Sequence, residues 1–232
     1  MKRICTNGDF LVRGKYYLYN NLWGANTGSG SQCLWQSPSD ESHIAWGTNW
    51  SWTGQSDTIK SYAAVVWGWH WGWKVANTGL PVQLSSLRSL HTTWSFDLIH
   101  TTLGGTNVTY DIWLSQNPRP CGEDPTAEVM VWLYNTGDIS PIGSRQTNTI
   151  IEGIGWDLWE GRHPVSDWPV YSFVRSANTK AAALDLMNFF QYLISIGLSS
   201  SSYLLSVEAG AEVFTGEGRL DTTLYSIDVE CR

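Results

Sequence analysis

The 232-residue chain is poor in charge: Asp, Glu, Lys and Arg make up 15% of it, against about a quarter in an average soluble domain. Only 14 residues are Lys or Arg and the net charge is −7, which excludes a nucleic-acid backbone as partner, since such binding rests on clustered cations. No run of about 18 apolar residues occurs, so no membrane-spanning helix and no membrane partner are expected. The four cysteines, Cys5, Cys33, Cys121 and Cys231, contain no Cys-x-x-Cys pair, which excludes a zinc ribbon or dithiol redox motif. Metal-ligand spacing is absent elsewhere, and no metal or cofactor is expected. Internal repeats, low-complexity tracts and linkers are also missing, so residues 1–232 read as one domain, expected to act as a monomer. The start, Met1-Lys2-Arg3-Ile4-Cys5, lacks an apolar signal core. The chain is read as the mature form of a secreted protein whose signal peptide is absent.

What the chain has in excess is tryptophan, 15 residues. Cores are built more simply from Leu, Ile and Val, which carry no N–H in need of a partner. Flat aromatic faces stack on the C–H faces of sugar rings, so the excess points to a carbohydrate surface, with several of the tryptophans left as filler between sheets. Of the three pairings four cysteines allow, Cys5–Cys33 would staple the N-terminal strands and Cys121–Cys231 would tie a loop to the C-terminus. Both suit an oxidising compartment, and buried free thiols are the alternative.

Most segments are short, rich in Trp, Tyr, Val, Ile and Thr, and punctuated by Gly, Asn and Pro, as strands are. Expected strands are Lys15–Trp23, Gln32–Gln36, Ser42–Trp52, Ser61–Trp67, Ser89–Leu98, Val108–Ser115, Glu128–Tyr134, Thr147–Ile151, Gly155–Glu160, Val170–Arg175, Leu204–Phe214 and Leu220–Cys231. One amphipathic helix is expected over Asn178–Gly197, capped by Asn178 or Thr179 and ended by Gly197. Many strands and one helix suggest an all-β sandwich or jelly roll of two antiparallel sheets.

Alternation along a strand decides which side chains share a face. Val129, Val131 and Leu133 form a core face, and Glu128, Met130 and Trp132 point the other way. Val207, Ala209, Ala211 and Val213 oppose Glu208, Gly210, Glu212 and Phe214. Asp111 and Trp113 oppose Tyr110, Ile112 and Leu114, while Asn21 and Trp23 oppose Leu18 and Leu22. None of the four non-core faces carries a Lys, so a concave binding floor fits better than a solvated surface. Hydrolysis of a glycosidic bond takes two carboxylates, one to protonate the leaving oxygen and one to attack or to activate water. Glu128 supplies one. Glu208 and Glu212 compete for the other role, because both face the floor roughly 13 Å apart along one strand.

The motifs Asn20-Asn21-Leu22-Trp23-Gly24, Tyr110-Asp111-Ile112-Trp113, Ala127-Glu128-Val129-Met130-Val131-Trp132-Leu133, Pro141-Ile142-Gly143-Ser144 and Gly210-Ala211-Glu212-Val213-Phe214-Thr215-Gly216 occur in the order and spacing of a known family. The chain resembles glycoside hydrolase family 12, endoglucanases and xyloglucanases with a jelly-roll fold, from Asn20 to Val229. The resemblance implies a retaining endo-β-1,4-glucanase acting on a β-glucan, with Glu128 as nucleophile, Glu212 as general acid/base and Asp111 hydrogen-bonded to Glu128. It makes Trp23 a sugar platform, puts Met130 and Trp132 near the scissile bond, and makes Pro141-Ile142 a cord across the cleft. Phe214 and Asn21 belong to the same floor. Where bacterial relatives carry a disulfide around a Gly-Cys-His-Trp-Gly segment, this chain has Gly68-Trp69-His70-Trp71-Gly72-Trp73-Lys74. Trp69, Trp71 and Trp73 then either extend the sugar platform or pack between sheets, and His70 is read as structural. The sequons at Asn49 and Asn107 are read as chance matches. The rival reading from another class is a non-catalytic carbohydrate-binding jelly roll, which needs no convergence of Glu128 and Glu212.

Overall fold

The structure, a computed structural model, describes residues 2–39, 43–71, 73–75, 78–118 and 125–232. Cys121, Ser42 and Asn77 lie outside the described residues, and with them the Cys121–Cys231 pairing. The chain begins with β1 (Arg3–Ile4), β2 (Phe10–Arg13) and β3 (Tyr16–Asn21), followed by β4 (Gly28–Ser37), β5 (Ile44–Gly54) and β6 (Ser61–His70). Two short strands, β7 (Trp73–Lys74) and β8 (Val82–Gln83), precede the long β9 (Leu87–Thr102), then β10 (Thr106–Ser115) and β11 (Ala127–Thr136). The second half holds β12 (Ser144–Ile151), β13 (Ile154–Arg162), β14 (Pro169–Arg175), β15 (Ala181–Asp185), α1 (Met187–Ser195), β16 (Tyr203–Val213) and β17 (Gly216–Cys231).

These strands form two sheets, the jelly-roll arrangement expected from the sequence. The smaller runs β1-β4-β5-β17-β9-β15, and the larger runs β12-β13-β14-β11-β10-β16-β6-β3-β2, with β7 on β6 and β8 on β16. The β11–β14 pair is parallel. One apolar core lies between the sheets, and the alternation explains it. Leu18, Val65, Tyr110, Ile112, Val129, Val131, Val207, Ala209 and Ala211 of the larger sheet meet Trp46, Trp50, Trp94, Leu220 and Tyr225 of the smaller. The other face of the larger sheet is left to line a cleft. Cys5 and Cys33 form a disulfide, the N-terminal staple expected above, and it suits an oxidising compartment.

The helix is shorter than the periodicity suggests. Residues 181–185 are strand β15, paired with β9 from Ser95 to His91, and only Leu184 of the five is fully buried. The Ala181-Ala182-Ala183 run fits a helix and a strand equally well, and the free edge of β9 decides for the strand. Asn178 and Thr179 therefore cap nothing. The N-cap is Leu186, which makes no side-chain cap bond; one residue before it, Asp185 Oδ1 accepts the N–H groups of Leu90 at 2.8 Å and Met187 at 3.0 Å. The end is as expected, with Gly197 at φ +127° just past the last turn. From α1, Phe189 packs edge-on against Trp156 of β13 and Phe173 of β14, so the helix covers the core side of the larger sheet, away from the cleft.

Candidate active site

The cleft has a volume of about 1020 Å³ and is lined by Asn21, Trp23, Asp111, Glu128, Met130, Trp132, Pro141, Ile142, Glu212 and Phe214, all expected on its floor or rim, though not by Gly210. Glu208, His70 and Trp71 line it as well. A second, more open depression, between Phe10–Val12 and Gln36–Pro38, contains none of the acids.

Register sets where the acids stand. On β10, Trp113 faces Glu128 of β11 and Asp111 faces Met130. On its other side Asp111 faces Glu208 of β16, and Asn107 faces Glu212. Four carboxyls thus project from three adjacent strands into one cleft. Glu128 is 8% exposed and Glu208 only 1%.

Each acid has distinct company. Glu128 Oε2 accepts the indole N–H of Trp168 at 3.1 Å. Burial pushes Glu128 up to about 8. The Trp168 bond opposes that rise, and the charges of Glu212 and then Glu208 add to it. Of the two β16 acids, Glu212 thus acts more strongly on Glu128. Glu212 Oε2 accepts Asn107 Nδ2–H at 2.6 Å, and its own amide donates to Asn107 Oδ1 at 3.3 Å. Burial raises Glu212 to about 7, and the Asn107 bond restrains it. Asp111 lies well above the usual carboxylate range through burial, then the charges of Glu128, Glu208 and Glu212, with the Ile112 amide opposing them. Its Oδ1 has no N–H or O–H donor among the described residues. A buried acid in that state keeps its proton and can donate it to a neighbouring carboxylate.

Glu128 and Glu212 are thus both raised, to about 8 and about 7, chiefly by burial. The acids titrate as a set. A proton on Glu212 removes the largest charge acting on Glu128, and the Trp168 bond then favours ionised Glu128. Moving one proton from Glu128 to Glu212 within the cluster would leave Glu128 charged and Glu212 protonated.

The loop carrying Trp168 was not foreseen. It is closed by backbone bonds from His163 N–H to Trp168 O at 2.9 Å and from Asp167 N–H to His163 O at 3.0 Å. Arg162 Nε donates to Asp167 Oδ1 at 2.6 Å, and the His163 ring stacks on Trp168 at 4.3 Å. Asn107 is buried and committed to Glu212. The cord depends on Gly143, whose φ is +90° and whose added Cβ would lie 1.9 Å from Glu160 O. No other residue lets Pro141-Ile142 lie that close to β13. A Cβ added to Gly24, next to Trp23, would likewise lie 1.9 Å from Ile59 O. Trp23 is 56% exposed and lines the cleft.

Comparison with known proteins settles the family. Residues 14–230 match the profile of Glycosyl hydrolase family 12. The chain belongs to glycosyl hydrolase family 12. It is 38% identical over 231 residues to the xyloglucan-specific endo-beta-1,4-glucanase A of Emericella nidulans, covering 97% of this chain and 90% of that relative. The fold superposes on the family 12 endoglucanase 3 of Trichoderma harzianum with TM-score 0.88 and 31% identity, covering 99% of this chain and 97% of that one. It matches the family 12 xyloglucanase of Bacillus licheniformis equally well, with TM-score 0.88, 32% identity, and 99% and 100% coverage. The chain is thus a family 12 glycosidase, an endo-acting β-1,4-glucan hydrolase that works with retention.

Proposed function

We propose that this family 12 enzyme is a secreted, monomeric, single-domain hydrolase that cuts xyloglucan internally, using Glu128 as nucleophile and Glu212 as general acid/base. The choice of xyloglucan is supported by the curated relatives, xyloglucan-specific enzymes of Emericella nidulans, Aspergillus aculeatus and Aspergillus niger at 36–38% identity. An open cleft admits a chain at any point along its length, which supports internal cleavage.

The convergence of Glu128, Asp111 and Glu212 on one cleft supports the assignment of roles. Glu128 attacks the anomeric carbon while Glu212 protonates the departing glycosidic oxygen. Asp111, still protonated, donates its O–H to Glu128, and Trp168 donates to Glu128 Oε2, so the carboxylate is held in one rotamer. Glu212 then takes a proton from water, whose oxygen attacks the glycosyl-enzyme and frees Glu128. Trp23, Phe214, Asn21, Met130, Trp132 and the Pro141-Ile142 cord hold the sugars around that centre.

Reducing-sugar release from xyloglucan, barley β-glucan, carboxymethylcellulose and xylan tests this, with Glu128→Gln as blank. Fastest release from xyloglucan, with viscosity falling ahead of reducing ends, is the expected result. Faster release from an unbranched glucan would overturn the substrate proposal.

A further inference from the structure

Glu208 shares the cleft with the acids of the hydrolysis, yet that chemistry gives it no part. It is more deeply buried than Glu128. Register places it directly across from Asp111, its partner on β10. Like charges facing each other across a strand pair repel, and burial removes the water that would screen them. One of the two carboxyls therefore keeps its proton, and the donors around them decide which.

Those donors are divided unequally. His70 Nδ1 lies 2.7 Å from Glu208 Oε1. With a proton on Nδ1 the ring donates to the carboxylate in its neutral and its charged state alike. The rings of Tyr19 and Trp71 pack against it at 4.7 and 4.8 Å. Asp111 has no comparable partner: its Oδ1 meets no donor among the described residues, and the Ile112 amide alone favours its charged form. The charge thus belongs on Glu208 and the proton on Asp111, and the charges of Glu128, Glu208 and Glu212 all push Asp111 the same way. The other groups that feel the Glu208 charge are Tyr17 and Tyr19 of β3, Tyr62 of β6 and Tyr225 of β17. All four are phenols raised by burial, so none brings a positive charge to compete with His70. Glu212 stands four residues along β16 from Glu208, roughly 13 Å away, and answers to burial and Asn107.

We propose that Glu208, fixed by His70, is a positioning residue for Glu128: its carboxylate faces Asp111 and leaves the proton there, so that Asp111 can donate to Glu128. The inference rests on the retaining-glucanase reading with Glu128 as nucleophile. A wild-type chain that releases no sugar would sink that reading, whereas the comparisons below bear on Glu208 alone.

The test is kcat and kcat/KM on an aryl β-cellobioside from pH 4 to 9 for the wild type, Glu208→Gln, Asp111→Asn and the double variant. Glutamine keeps an acceptor for His70 and removes the charge. In Glu208→Gln the acid limb of kcat/KM should move to lower pH by at least about half a unit, because a negative neighbour of Glu128 is gone. The alkaline limb should stay within about 0.2 unit, since it follows Glu212. The plateau of kcat should fall about tenfold, because Asp111 then takes the charge in most molecules and Glu128 keeps the proton. Asparagine at position 111 cannot ionise, so adding Glu208→Gln to Asp111→Asn should change the plateau by less than about twofold. Carboxyl-carbon NMR of the wild-type chain labelled at aspartate needs no variant at position 208. One aspartate signal, missing from Asp111→Asn, should still be protonated at pH 6. An unmoved acid limb with an unchanged plateau overturns the proposal. So does an equal plateau loss with and without Asp111, which would make Glu208 a support for the floor, and so does an Asp111 already ionised at pH 6.

Discussion

Trp168 donates its indole N–H to Glu128 Oε2 at 3.1 Å, from a loop rather than from a strand of the floor. The bond favours the charged form of Glu128 against the burial and the neighbouring acids that oppose it. Trp168→Phe keeps the ring and removes the donor. The acid limb of kcat/KM should then move to higher pH by about one unit, since a hydrogen bond to a charged group is worth about 1.5–3 kcal/mol. A pH profile from 4 to 9 on a soluble glucan checks this.

Asn107 does for Glu212 what Trp168 does for Glu128, and the consequence has a different sign for activity. Its Nδ2–H bond at 2.6 Å holds the Glu212 proton affinity down. Asn107→Ala should raise it, so that the acid stays protonated to higher pH and the alkaline limb moves up by about one unit. Loss of the fixed rotamer should lower kcat about tenfold. Steady-state kinetics across pH separate the two effects.

The raised acids also set how stability depends on pH. In the folded chain Glu128 lies at about 8 and Glu212 at about 7, against an ordinary value of 4.5. The folded state then binds more protons than the unfolded state between those values. The contribution of these two groups is fully present below about 4.5 and is lost as pH rises through 7 to 8. Tm should fall from pH 5 to pH 8 in the wild-type protein. Glu128→Gln should flatten that slope and raise Tm at pH 8 by at least about 3 °C, as differential scanning calorimetry would show.

Much of this site is legible in the sequence because a strand has a period of two. Glu128, Asp111, Glu208 and Glu212 are all placed on the cleft side by counting from Val129, Ile112, Val207 and Val213, and the structure puts them there. Choosing between Glu208 and Glu212 is beyond alternation, since both share a face, and it came from the family motif. Trp168 was invisible for a physical reason: it lies in a loop, where no periodicity fixes a direction, and its place depends on the Arg162–Asp167 and His163–Trp168 closures. Asn107 had the right parity, but its bond to Glu212 follows from the β10–β16 register, which one strand alone does not specify. The helix start was misplaced because alanine has no strong preference between helix and strand when a sheet edge is at hand.

Cys5 and Cys33, 28 residues apart, tie the N-terminal segment to β4. Closing a loop of that length removes about 3–4 kcal/mol of unfolded-state entropy. Replacing both cysteines by Ala should lower Tm by about 10 °C while leaving kcat/KM on glucan within about twofold, because neither cysteine lines the cleft. Thermal melts with and without reductant check it.

The assignment of Glu128 and Glu212 to opposite roles is tested most directly by azide rescue on an aryl β-cellobioside. With the nucleophile removed, azide attacks from the free face, and Glu128→Ala should yield the α-glycosyl azide. With the acid/base removed, azide attacks the glycosyl-enzyme, and Glu212→Ala should yield the β-glycosyl azide. Exchange of the two products between the variants, or rescue to the β-azide by Glu208→Ala in place of Glu212→Ala, would contradict the account.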